Sequence, residues 1–300
     1  MNVPRTIAEY LDQLRAALRG ADPALIQDAL YDAEEHLRAE LAEQPARGEA
    51  EMLQQVVGSY GAPDEVAEIY RDQEIKVQRA IRPPPPPVRR SAVGRFFGVA
   101  AEGHTYGALF DMLLSLATGI FYFTWAVAGI LLSSSFSLLI IGIPFLVLFF
   151  GSVRGLSLLE GRIVETMLGV RMPRRPPYPA SQGEPILKRI GAMFLDARSW
   201  STLLYMLLML PLGIFYFTVT VIMLALSLGL AVAPLVKSFG FSVINISADG
   251  FSYDGPGWAG SFGLCVLGIL LLFATLHVVR GLGRLHGQMA KQLLVASAAA

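Results

Sequence analysis

The 300-residue chain is poor in the residue types from which soluble enzymes build their sites. Charged residues make up only 16% of it, there are four histidines, and cysteine occurs once. A single cysteine, Cys265, excludes an intrachain disulfide and any multi-cysteine zinc site, and its apolar surroundings give it the role of a small packing residue. His36, His104, His277 and His286 do not have metal-ligand spacing, and no phosphate-cradling glycine motif or nucleophile–base–positioning pattern is present. No catalytic, metal or cofactor-binding residue is therefore assigned, and the chain is read as no enzyme. The first thirty residues also lack the short apolar core and small-residue cleavage site of a secretory signal, so the amino terminus is expected to stay inside.

What is abundant is apolar surface. Hydrophobic residues reach 54% and mean hydropathy is positive, which suits a chain whose main solvent is lipid. The formal charge of zero conceals segregation: residues 1–80 hold 16 acidic and 8 basic residues, and the stretch that follows is basic and then almost uncharged.

Within that acidic stretch the helical period is clear. Thr6 and Glu9 have capping-box spacing, and Ile7, Tyr10, Leu11, Leu14 and Leu18 recur on one face. Asp22 with Pro23 opens a second helix carrying Ile26, Leu30, Leu37 and Leu41, and Pro45 and Gly48 break it. A third helix with Met52, Leu53, Val56, Val57 and Tyr60 stops at Gly61, and Pro63, Asp64 and Glu65 start a fourth with Val66, Ile69 and Tyr70. Four such helices can close one small core. His36, beside Glu34, Glu35 and Glu40, is read as a solvated side chain on a charged helix.

Five consecutive prolines, Pro83 to Pro87, among Arg82, Arg89, Arg90 and Arg95 then form a stiff spacer with a basic flank suited to an anionic leaflet. Beyond it lie four runs long enough to cross a bilayer, about Met112 to Leu132, Phe136 to Leu156, Leu203 to Ala233 and Phe262 to Val279. Gly142 and Pro144 are expected to bend the second. The fold class expected is thus all-α, a small soluble helical bundle joined to a four-span transmembrane domain. Its boundaries are 1–80 for the acidic domain, 81–102 for the Pro/Arg linker and 103–300 for the membrane domain.

Arg154 to Arg198 holds 8 basic and 4 acidic residues, whereas the segment from Pro234 to Gly257 has Lys237 as its one basic residue. The positive-inside rule then sets both termini in the cytoplasm, and Ser133 to Ser135 and Pro234 to Gly257 outside the inner (plasma) membrane. Gly119-Ile120-Phe121-Tyr122-Phe123-Thr124 recurs 94 residues later from Gly213 to Thr218, and Val153-Arg154-Gly155-Leu156 recurs 126 residues later from Val279 to Leu282. Each half is one two-span hairpin, and equal entry directions make the repeat parallel.

Two resemblances follow from these residues. Glu9-Tyr10-Leu11 with Leu14, Leu18, His36 and Gly61-Ala62-Pro63-Asp64-Glu65-Val66-Ala67 resembles the HAAS type of bacterial signalling domain, over roughly the first 75 residues. Leu210-Pro211-Leu212-Gly213-Ile214-Phe215-Tyr216-Phe217 with Val279-Arg280-Gly281-Leu282 resembles the membrane sensor domain often found ahead of bacterial histidine kinases, over about Gly103 to Leu294. The first repeat departs from this with Ala117 and Thr118 where the second has Pro211 and Leu212. Together they imply a non-enzymatic membrane sensor that relays an envelope or membrane stimulus to a cytoplasmic helical interaction domain. About 20 residues after the last span leave no kinase to be expected there.

The candidate external ligand segment is Phe239, Phe241, Asn245, Asp249, Phe251, Tyr253, Asp254 and Trp258, aromatic rings beside polar groups, which would also suit simple interfacial packing. Arg154 and Arg280, at equivalent helix ends, are candidates for a cytoplasmic relay to the acidic domain, against snorkelling to lipid phosphates. Expected partners are the bilayer, a cytoplasmic regulatory protein and a second copy of the chain, with no direct nucleic-acid contact. A transporter subunit and a scaffold that recruits a regulator are the alternative functions.

Overall fold

The computed structural model describes residues 4–44, 48–81, 91–136, 142–175, 191, 196–248, 251–253 and 255–295. The described chain divides into two compact units, one of Met1–Pro84, Ala126–Tyr205 and Gln288–Ala300, the other of Pro85–Trp125 and Met206–Gly287.

The first unit begins with a bundle of α1 (Ile7–Ala17), α2 (Pro23–Glu43), α3 (Glu49–Ser59) and α4 (Pro63–Ile81). Local chemistry starts each helix. The Thr6 hydroxyl accepts the Glu9 N–H at 3.1 Å, and the Glu9 carboxylate reaches back to accept the Arg5 N–H at 2.7 Å. Asp22 caps α2 through the Ala24 N–H at 2.9 Å with Pro23 in the first turn. Gly61 turns the chain between α3 and α4 at φ +110°, a region closed to most side chains, and Glu65 then accepts the Ala62 N–H at 3.0 Å.

Tyr10, Leu14, Leu18, Ala29, Ala33, Leu37, Met52 and Leu53 form the sealed core of this bundle. Each buried leucine stabilises it by about 1.5–3 kcal/mol relative to exposure. The Tyr10 hydroxyl donates to the Gly61 carbonyl at 2.9 Å, which ties α1 to the turn, and burial raises its pKa. His36 is not a solvated side chain: its half-buried ring stacks on Tyr60 with centroids 4.4 Å apart.

Among the described residues, four helices long and apolar enough to cross a membrane follow the short α5 (Ala92–Gly98) and a 3-10 turn at Val99–Ala101. They are α6 (Gly103–Phe136), α7 (Gly142–Leu168), α8 (Ala197–Ala231) and α10 (Trp258–Leu294), with α9 (Ala233–Ser238) between the last two. At 34, 27, 35 and 37 residues they exceed the ~20 needed to span the hydrocarbon, so polar turns continue each helix beyond its apolar run.

Three further details differ from the sequence expectation. Ser133 to Ser135 remain helical in α6 instead of forming a connection. Gly142 and Pro144 sit in the first turn of α7, where the N–H that Pro144 lacks has no helical partner, and so do not bend its middle; Pro211 lies inside α8. Strands β1 (Ile246–Ala248) and β2 (Phe251–Tyr253) also pair antiparallel, Ile246 opposite Tyr253 and Ala248 opposite Phe251.

The second unit contains the crossing of α6 and α8. A Cβ added at Gly119 would overlap the Met209 carbonyl, and one added at Gly213 would overlap the Ser115 carbonyl. Ser115 and Met209 are themselves 94 residues apart, as Gly119 and Gly213 are, so the two halves of the repeat meet reciprocally through the opening glycine of each motif.

Candidate functional site

In the first unit the amino-terminal half of α2 is buried on its polar side as well as its apolar one. Gln27 and Asp28 are 8% and 6% exposed, because they pack against the segment that follows α7. Gly169, in the left-handed region at φ +66°, ends α7 and turns Val170 to Arg175 back toward the bundle.

Arg171 is the centre of this joint. Its guanidinium donates to Asp28 of α2 at 2.9 Å, to Glu74 of α4 at 3.2 Å and to Glu165 of α7 at 3.3 Å, and also to the Met172 carbonyl. All four side chains are under 10% exposed. Asp28 additionally accepts the N–H groups of Arg174 and Arg175 at 2.7 and 3.0 Å, so one carboxylate holds both the cation and the backbone of the segment. The fork of an arginine is suited to this, since it offers fixed donors in several directions at once.

Around this centre lies a polar belt. The Gln27 amide donates to the Arg175 carbonyl at 2.5 Å and accepts from Arg198 at 2.8 Å, and Arg198 also donates to the Leu294 carbonyl at 2.9 Å. Lys291 pairs with Asp22 at 2.5 Å. Arg175 reaches Asp32 at 3.1 Å and Glu35 at 3.5 Å, with its guanidinium 5.2 Å from the centre of the Tyr31 ring. A cavity of about 230 Å³ opens beside Arg171 and is lined by Leu25, Asp28, Asp32, Tyr70 and Glu74.

Three carboxylates on one cation leave an excess of negative charge. Burial raises the Asp28 carboxyl above its ordinary range, and the Arg174 and Arg175 N–H groups and the Arg171 charge reverse that only in part. Burial alone would weaken the Arg171 charge, but Glu74, Asp28 and Glu165 together hold it more firmly than in water. Arg162 relieves part of the excess by pairing with Glu165 at 2.7 Å. The cluster can act as a latch, because removing one member leaves the others buried and uncompensated.

Arg154 and Arg280 lie elsewhere. Arg154 pairs with Asp196 at 3.2 Å within the first unit, and Arg280 pairs with Glu102 at 2.6 Å within the second. Glu102 and Asp196 are again 94 residues apart, so each arginine holds the carboxylate of the opposite repeat. Of the proposed ligand segment, Phe239, Phe241 and Trp258 are 72%, 70% and 54% exposed. Asn245 is exposed and its amide donates to the Ser242 carbonyl at 3.2 Å. Phe251 and Tyr253 are placed by their backbone in β2, and Asp249 and Asp254 lie outside the described residues. Among the described residues no group of three or more His, Cys, Asp or Glu side chains is disposed to hold a metal ion.

The residues that sequence reasoning missed are Arg171, Asp28 and Glu74. One signal was available: Leu25, Asp28, Asp32 and Glu35 share a face of α2 at helical spacing, matched by basic residues at 171, 174 and 175.

The four apolar helices and the latched bundle define an integral membrane protein carrying a helical signalling module. Residues 112–294 match the family described as Putative sensor and residues 9–69 match the HAAS family; the chain belongs to the Putative sensor family. Both are non-catalytic signalling modules, and HAAS domains mediate protein interactions. No curated protein and no solved structure matches the chain significantly.

Proposed function

We propose that this is a non-enzymatic bacterial inner-membrane sensor with both termini cytoplasmic, in which a stimulus that repacks the hairpins is relayed to the acidic bundle through the Arg171 latch. The domain limits are 1–80, 81–102 and 103–300. The observation that carries the reading is the burial of Arg171 among carboxylates from α2, α4 and α7, since such a site links the membrane helices to the interaction module. Basic residues crowd the α7–α8 connection, which supports a cytoplasmic side for it. The exposed rings of Phe239, Phe241 and Trp258 make residues 239–258 the proposed input surface. A cytoplasmic regulatory protein is the proposed recipient, bound by the bundle.

The test uses the full-length chain in cells, with Cys265 replaced by Ser and cysteines placed at Glu35 and Arg174. Envelope stress is expected to change the rate of disulfide trapping between them, and Arg171→Ala is expected to reproduce both that change and the accompanying transcriptional response. A trapping rate that stays constant while the response proceeds would show that the signal bypasses the joint. Solute flux through reconstituted vesicles would instead favour the transporter reading.

A further inference from the structure

The repeat makes a third contact readable from two that are already explicit. Glycine on carbonyl (Gly119 on Met209, Gly213 on Ser115) and arginine on carboxylate (Arg154 on Asp196, Arg280 on Glu102) both follow one rule. A residue on the second helix of one hairpin, or its motif glycine, meets the opposite hairpin at positions offset by 94 and 126 residues.

The same rule applies to a buried hydrogen bond in the first unit. Tyr205 of α8 donates to Glu160 of α7 at 2.5 Å, and these side chains are 1% and 3% exposed. The residue 94 before Tyr205 is Asp111 of α6, and the residue 126 after Glu160 is His286 of α10. Both belong to the second unit and both are buried, at 4% and 1% exposed. The His286 ring lies edge-on to Tyr216, itself 5% exposed, with centroids 5.5 Å apart.

We propose that Asp111 and His286 form a buried proton-sharing pair, the counterpart of Glu160 and Tyr205, and that its proton content sets how tightly α6 packs on α10. With one proton between them the two groups are neutral overall, either as carboxylate and imidazolium or as carboxylic acid and imidazole. A second proton leaves a net positive charge in a buried site, and loss of the first leaves a net negative one. Either change is unfavourable where water is excluded. Tyr216 on α8 is an ionisable group that packs on His286 from a third helix. The fixed charges on α10 are the exposed Arg284, two residues from His286, Lys291, paired with Asp22, and Arg280, paired with Glu102. The inference does not depend on the relay through Arg171, because it concerns the other unit.

The experiment compares the full chain with Asp111→Asn, His286→Asn and the double variant in lipid nanodiscs, reading the unfolding midpoint across a pH series. The wild-type profile is expected to contain a pH-dependent component that disappears in both single variants, with non-additivity of at least tenfold in the unfolding equilibrium. A transplanted pair, Asp111→Tyr with His286→Glu, copies the other joint and is expected to recover folding that either substitution alone impairs. Additive singles, or a wild-type pH profile that neither single alters, overturn the proposal. If the singles do not fold, failure of the transplanted pair and of the swap Asp111→His with His286→Asp overturns it as well.

Discussion

The joint at Arg171 and the joints at Arg154 and Arg280 use the same chemistry at different depths. Arg171 is 8% exposed and touches three carboxylates, whereas Arg154 and Arg280 are 36% and 30% exposed and each holds one. Burial turns an interchangeable surface pair into a site that fails when one partner leaves. The comparison separates arginines that fasten the bundle from arginines that fasten one hairpin to the other.

Arg171→Ala is expected to have the largest effect, because it strands Asp28, Glu74 and Glu165 without their cation. Truncating one member of a buried ionic cluster costs about 3–5 kcal/mol, enough to release the bundle from the segment 170–175. Hydrogen exchange of the full chain should show protection lost on the polar side of α2 and kept at Leu14 and Leu53, whose core does not depend on the joint. Loss of protection throughout α1–α4 would mean that the latch holds the bundle's fold and not its position.

A methyl at the crossing comes next. Gly213→Ala places a Cβ on the Ser115 carbonyl and Gly119→Ala places one on Met209, so each forces α6 and α8 apart. Overpacking of this kind costs about 1–3 kcal/mol. Reciprocity sharpens the expectation, since the two variants should lower the unfolding midpoint in nanodiscs by similar amounts. Strong asymmetry between them would break the equivalence of the hairpins.

Arg154→Ala and Arg280→Ala should do less. Arg154 is more than one-third exposed, and a solvent-screened pair contributes about 0–1 kcal/mol. Neither variant is expected to alter protection of α2. If Arg154→Ala released the bundle as Arg171→Ala does, the distinction between the two kinds of joint would collapse.

The legible parts of this fold were those set by near neighbours or by bulk hydropathy. Thr6 with Glu9, Asp22 with Pro23, and Gly61 before Pro63 are caps and turns that need no knowledge of the rest of the chain. The four spans announce themselves because lipid imposes one requirement on every residue in a run. The duplicated motifs also showed that Arg154 and Arg280 are equivalent. What could not be read was whom they meet, because a parallel repeat allows each to face its own hairpin, the other one or the bundle.

Arg171 was hidden for a different reason. Its partners Asp28 and Glu74 lie 143 and 97 residues away, and the residue itself sits in a basic stretch that topology alone explains. Asp28 looked like the polar side of an amphipathic helix, which is the ordinary place for an acid. Only a second surface packed onto that side makes it a buried group. The rings at Phe239, Phe241 and Trp258 show the reverse case: they were readable as a cluster by composition, and in the fold they stay 72%, 70% and 54% exposed.

The smallest expected effect tests the excess charge at the Arg171 joint. Asp28 has a raised pKa when docked, mainly through burial, so the docked state binds its proton more tightly than the solvated carboxyl does. The sign is therefore opposite to that of an ordinary salt-bridged acid. The Asp28 contribution to docking is favourable below the usual aspartate range, and it is lost as pH rises through the interval up to the raised value. Going from neutral pH down toward that interval should then slightly increase the docked fraction, measured by energy transfer between labels on α3 and on the segment 170–175 of the full chain. Asp28→Asn removes the titrating group but keeps an oxygen for the Arg174 and Arg175 N–H groups, so its docked fraction should be flatter over the same pH range. A wild-type docked fraction that falls on mild acidification, and does so less in Asp28→Asn, would mean that the Arg171 charge outweighs burial at Asp28 and that the cluster carries no excess negative charge to relieve.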